Sequence, residues 1–180
     1  AVIAEGQEAG GHIGQTSSLS LLPQVVDAVA IPVLGAGGVG DGRSVVAMYA
    51  LGAQGIQVGT LFLSAEECPI SDRYRQFLLD ANDTATIVTG RKAKEPVRSL
   101  RNSMLEQYAA LEEANAPHEE LEKLTVGSLA RAVHEGDIET GSCMAGEIAG
   151  MIGNIRPAKQ IIEELFAEAE AVLAKLRIKY

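Results

Sequence analysis

Positive charge is in short supply in this chain, with 15 Lys and Arg against 24 Asp and Glu and a net charge of −9. No basic patch is available to neutralise a run of phosphates, which argues against a nucleic-acid partner. Long apolar runs are missing as well. None approaches the ~20 residues that a bilayer-spanning helix needs, so no membrane role is expected, and no secretory signal pattern is present. Cysteine is scarce. Cys68 and Cys143 lie far apart and outside any metal-ligand spacing, so no metal site is expected and a reducing cytoplasm fits. What remains is ordinary for a globular protein: 180 residues, 47% apolar and 22% charged, enough for one substantial core.

Glycine is plentiful and clustered. The apolar run AVIA ends at Ala4 and passes directly into EGQEAGGHIG, Glu5 to Gly14. This reads as a short buried strand followed by a tight polar loop holding Glu5, Glu8 and His12. The carboxyl ends of parallel strands are where α/β enzymes keep their chemistry. Gly10 and Gly11 allow a sharp bend or close approach to a flat ligand, and His12 can exchange a proton near neutrality. Taken alone, the loop reads equally as a turn with a solvated histidine.

Ile31 to Gly42, IPVLGAGGVGDG, repeats the pattern: apolar strand, glycine-crowded bend, then Asp41 placed to cap the helix that follows. Gly55 to Phe62, GIQVGTLF, does so again with Gly59-Thr60 at the strand's end. Bare amides at such bends, reinforced by a helix dipole, are the recipe for holding a phosphate. In eight-stranded α/β barrels this site is often built by the loops after strands seven and eight. Gly37, Gly38, Gly59 and Thr60 are therefore the candidate phosphate ligands. Gln57 is either an interior strand residue or a ligand contact.

These motifs, with GSCMAGEIAG from Gly141 to Gly150, resemble in order the FMN-dependent enoyl-acyl-carrier-protein reductases of the enoyl reductase II type and, more loosely, the nitronate monooxygenases. The resemblance covers nearly the whole chain. It implies an α/β fold of the (β/α)8 TIM-barrel type. Only three βα strands are visible, at Val2–Ala4, Ile31–Leu34 and Gly55–Phe62, whereas a full barrel needs ~250 residues. The expectation is thus the C-terminal part of a larger protein, lacking roughly five N-terminal βα units, with an open edge at the first strand. Residues 1–82 would be barrel, and residues 83–180 a mainly helical extension with a flavin-covering loop near 141–150.

The resemblance further implies FMN, NADPH or NADH as reductant, a monovalent cation, a homodimer, and an enoyl thioester on acyl carrier protein as substrate in fatty-acid synthesis. His12 would supply a proton or orient the thioester carbonyl. Glu5, Gly10 and Gly11 would join the phosphate turns around the cofactor, while Ser142, Met144 and Gly146 would line the substrate pocket. Where the family usually has Gln, this chain has Glu147, which accepts hydrogen bonds but cannot donate them when ionised. An acidic carrier would dock only at a local basic spot, Arg91, Lys92 and Lys94 or Arg98 and Arg101; each also reads as solvated surface. Glu8 reads as solvated, and His118 and His134 receive no role. The rival readings are a nitronate monooxygenase and a non-catalytic fragment that needs its N-terminal half.

Along the rest of the chain, helices are expected at Leu19–Ala30 (with Pro23 in its first turn), Ser44–Leu51, Ser71–Ala81, Ser99–Ala114, Thr125–His134 and Pro157–Leu176. Asn115–Glu120 reads as a hinge-like acidic loop, and Thr84–Thr89 as an edge ribbon or oligomer contact. The last helix should bury Ile161, Leu165, Phe166, Ala169, Val172, Leu173 and Leu176 on one stripe, with Lys175 and Arg177 at its basic end.

Overall fold

The computed structural model describes residues 1–176; Arg177 lies outside the described residues. Six strands form, β1 (Val2–Glu5), β2 (Gly11–His12), β3 (Val33–Ala36), β4 (Gly55–Gln57), β5 (Thr86–Thr89) and β6 (Val97–Leu100). The helices are α1 (Ser18–Ala28), α2 (Gly42–Ala50), α3 (Asp72–Leu79), α4 (Ser103–Glu113), α5 (His118–Thr125), α6 (Ser128–Ala130) and α7 (Ala158–Lys175). Short 3-10 turns occupy Thr60–Ser64 and Glu147–Met151.

Strands β1, β3 and β4 are parallel neighbours in chain order, with Val2 opposite Val33 and Leu34 opposite Gly55. Successive strands that lie side by side, each followed by a crossover helix, progress as a barrel does; a doubly wound sheet would reverse its order. The chain thus carries three βα units of a TIM-type barrel and a helical extension. Apolar side chains from both parts share one core, including Leu22, Val33, Val45, Tyr74, Leu78, Leu100, Cys143 and Ile161.

Local sequence explains most element ends. Asp41 caps α2, its carboxylate accepting from the amides of Arg43 (2.9 Å) and Ser44 (3.1 Å). Ser71 caps α3 through the amide of Tyr74. Helix α1 is capped differently: Ser17 makes no side-chain cap, and the Glu8 carboxylate instead accepts from the Ser18 amide and hydroxyl, the latter at 2.8 Å. Glu8 is therefore half-buried and structural rather than solvated. Because α1 starts at Ser18, Pro23 falls in its second turn; the Leu19 carbonyl that loses an amide there belongs to an exposed residue.

Other expectations are corrected. Ser99 and Leu100 are strand, and α4 begins only after Asn102, whose side chain accepts from the Leu105 amide. His118–Glu120 are the first turn of α5, not loop. The helix expected over Thr125–His134 is broken at Gly127, which has φ +69°, and ends as a π-helical turn over Arg131–Glu135. The edge ribbon expected at Thr84–Thr89 does form, as Thr86–Thr89, the edge strand of a second, antiparallel sheet ordered β2-β6-β5. Helix α7 buries a narrower stripe than expected, Ile161, Leu165 and Ala169, while Phe166, Leu173 and Leu176 are exposed. It lies so close to α2 that a Cβ on Gly42 would meet the Ala169 nitrogen at 2.3 Å.

Candidate functional site

Strands β1, β3 and β4 end on one cavity of about 300 Å³. Glu5, Gly37, Gly38, Gly59 and Thr60, all at or just past those ends, line it; so do Gly10 from the loop after β1, Gly11 at the start of β2, and Gln57. Among the described residues, the amides of Gly37, Gly38, Gly59 and Thr60 donate to no protein acceptor. Backbone amides without partners are rare unless water or a ligand satisfies them. Two adjacent bends that each leave donors free beside one cavity fit an anionic phosphate. The local geometry has room for it. Gly37 has φ +84°, and a Cβ there would meet the Gly6 carbonyl oxygen at 2.8 Å, whereas a Cβ on Gly59 would meet nothing within 4 Å. Burial pushes the Glu5 carboxyl above its ordinary value.

The segment from Gly141 to Glu147 reaches this cavity through Met144 and is fastened along its length. Asn102 Nδ2 donates to the Gly141 carbonyl at 2.8 Å, the Ser142 amide to Ser128, the Leu100 amide to the Cys143 carbonyl, and the Tyr74 hydroxyl to the Met144 carbonyl at 2.6 Å. The Gly146 amide donates to Thr60 Oγ1 at 2.8 Å, leaving the Thr60 hydroxyl proton free for a ligand. The Glu147 amide donates to the Glu8 carbonyl. This fit requires Gly10, because a Cβ there would meet the Ala145 carbonyl carbon at 2.6 Å. Cys143 is fully buried and its thiol is pushed up to about 12, mainly by burial, so it stays protonated and inert.

Glu147 takes a partner that sequence reasoning had placed on the surface. Its carboxylate pairs with Arg98 at 2.8 Å, and Arg98 is only 7% exposed. Arg98 also donates to the Gln7 carbonyl and to Thr86 Oγ1. An ion pair thus occupies the place where the family's Gln would offer an amide, while Arg91, Lys92, Lys94 and Arg101 remain exposed.

His12 does not line the first cavity. It lines a second one of about 390 Å³, together with Ser142 and Met144. Met144 borders both, so the two are neighbours across one side chain. Gly146 lines neither and acts through its amide on Thr60. The second cavity contains residues that the sequence did not single out, His118, Tyr108 and Ser99. Burial, then the nearby Glu112 and Glu95 carboxylates, push the Tyr108 phenol up, so it remains a hydrogen-bond donor at neutral pH. No sequence signal could have found these three, because only the pairing of β2 with β6 and the packing of α4 and α5 bring them to His12. Among the described residues no cluster suited to a metal ion occurs, and no helix is long and apolar enough to cross a membrane.

A barrel arc whose strand ends leave phosphate-ready amides, beside a cavity bearing a histidine, has the features of a ligand-binding α/β barrel. The chain belongs to the nitronate monooxygenase family, whose sequence pattern matches residues 1–168. Proteins of this family and its FabK relatives are FMN-dependent enzymes. A probable nitronate monooxygenase of Staphylococcus aureus is 31% identical over 96% of this chain, which spans 51% of that relative. The structure of FabK from Thermotoga maritima superposes with a TM-score of 0.93 at 43% identity, over 97% of this chain and 56% of that one. Nitroalkane oxidase from Streptomyces ansochromogenes does so with a TM-score of 0.81 at 32% identity, over 97% and 53%. The chain therefore spans about half the length of the relatives it matches.

Proposed function

We propose that the protein is an FMN-dependent reductase of enoyl thioesters carried on acyl carrier protein, drawing on NADPH or NADH in fatty-acid synthesis. The observation that carries this reading is the pair of adjoining cavities, one edged by unpartnered amides and one by His12, with Met144 between them. The choice of reductase rests on the likeness to FabK, an enoyl-ACP reductase II, at 43% identity against 32% for nitroalkane oxidase. A cytoplasmic homodimer with a bound monovalent cation belongs to the same proposal.

Gly37, Gly38, Gly59 and Thr60 would hold the phosphate of FMN, and Glu5 a ribityl hydroxyl. Bound there, FMN would supply hydride chemistry between a nicotinamide and the β-carbon of the double bond. His12 delivers the balancing proton to the α-carbon and, being exposed, recovers it from solvent. Met144 of the fastened Gly141–Glu147 segment, which borders both cavities, would help to keep water from the reacting atoms.

A second reading, oxidation of nitroalkanes with oxygen, is favoured by the family match and the Staphylococcus relatives. There His12 would instead remove a proton from the carbon bearing the nitro group. A third is a phosphate-binding half that acts only with its N-terminal partner segment. Anaerobic reduction by NADPH or NADH, then addition of crotonyl thioester, separates them. Reoxidation by the thioester supports the reductase. Reoxidation only by oxygen with a nitronate supports the second reading, and a colourless protein that takes up no FMN supports the third.

A further inference from the structure

Ser99 is the buried group that the fold leaves unexplained. It is 1% exposed, and its hydroxyl has no hydrogen-bond partner among the described residues. Leaving a hydroxyl buried and unpaired is costly, so such a group calls for a reason. Two other unpartnered buried atoms, Arg75 Nε and Arg156 Nε, belong to guanidinium groups already bonded through other nitrogens. Among the described residues, only at Ser99 is an entire buried functional group idle.

The sheet register says where that hydroxyl stands. His12 is opposite Val97 in the β2–β6 ladder. Side chains directly opposite share a face, as do those two apart on one strand. Ser99 is therefore on the His12 face, one diagonal away, where such neighbours sit roughly 7–8 Å apart between Cα atoms. Both line the second cavity, with Thr89 opposite Val97 on the outer strand. Ser142, which the sequence offered as the pocket hydroxyl, is otherwise engaged. Ser128 donates to the Thr125 carbonyl at 2.7 Å, so the 2.7 Å contact between the two serine hydroxyls uses the Ser142 proton.

We propose that Ser99 is the donor that fixes the acceptor oxygen of the substrate beside His12. The ligand chemistry is an sp2 oxygen on the carbon framework to be protonated or deprotonated, either a thioester carbonyl or a nitro group. A hydroxyl donor there holds the reacting carbon in register with the imidazole and polarises the group as charge develops on its oxygen. This rests on the oxidoreductase reading above and adds the residue that selects its substrate class.

The test compares Ser99→Ala and Ser99→Cys with the unsubstituted FMN-loaded protein. Binding is read from the flavin absorbance on titration with unreactive butyryl pantetheine and, separately, with nitroethane under anaerobic conditions. The alanine variant should bind one of the two probes about tenfold more weakly, as expected for one lost hydrogen bond. The cysteine variant, a weaker donor of similar shape, should fall between. Melting temperature should stay the same or rise. The probe affected identifies the substrate class. Weakened binding without turnover of crotonyl thioester or nitronate would sink the proposed function and leave Ser99 its role. Probe affinity within twofold of the unsubstituted protein, a melting temperature that falls along with affinity, or no binding of either probe to the unsubstituted protein overturns the Ser99 proposal.

Discussion

At the scale of single residues, Glu5 sets stability against binding. Its carboxyl is half-buried at the end of β1, makes no hydrogen bond among the described residues, and has its pKa raised by burial. A carboxyl that holds its proton more tightly folded than unfolded favours the folded state only while protonated. That contribution is present at low pH and is lost as pH rises from the ordinary value of 4.5 through the raised one. Glu5→Gln should therefore melt higher than the unsubstituted cofactor-free protein at about pH 7, with the difference vanishing near pH 4. If Glu5 accepts a ribityl hydroxyl, the same variant loses FMN affinity. Thermal melts at the two pH values and a flavin titration check both signs. A lower melting temperature at neutral pH would show that the carboxylate has a stabilising partner instead.

Among the elements, α2 ties a helix cap to the cofactor turn. Asp41 accepts from two amides at the start of α2, and Ser44 Oγ accepts from the amides of Gly40 and Asp41. The bend that carries the free amides of Gly37 and Gly38 is thus anchored from the helix side. Asp41→Ala should cost about 1 kcal/mol of stability and loosen FMN binding as well, measured by urea unfolding and by flavin release. Unchanged FMN affinity would mean that the bend is held by β3 alone. This cap was legible in the sequence, because a glycine bend followed by Asp and an apolar helical run has few other solutions. The three barrel strands and their glycine bends were legible for the same reason. The second sheet was not. Strand β2 has two residues, too short for any period, and β6 reads Val-Arg-Ser-Leu with an arginine that is buried. Its burial depends on Glu147 and the Gln7 carbonyl, neither of which lies near it in sequence. Hence Arg98 read as surface, Ser99 as helix, and the cavity around His12 stayed hidden although His12 itself stood out.

For the molecule as a whole, the Gly141–Glu147 segment links the barrel arc to the second sheet. It bonds to Thr60 beside β4, to Glu8 after β1, to Tyr74 on α3 and to Leu100 at the end of β6. A ligand seated on the free amides should therefore stabilise distant parts of the chain. FMN at 100 times its dissociation constant adds about 2.7 kcal/mol to the folded state if it does not bind the unfolded one. That energy should spread through the fastened segment, because local openings that free Gly146 also release Thr60. Hydrogen exchange with and without FMN should slow first at Gly37, Gly38, Gly59 and Thr60, whose amides would gain an acceptor. It should also slow at Gly146, Glu147 and Leu100, whose amides already have one and would gain only cooperativity. Tyr74→Phe, which strips the Met144 carbonyl of its donor, should weaken the second group's protection while sparing the first. Protection at the four bend amides alone would show the segment to be a passive cover, and protection at neither group would place the cofactor away from this cavity.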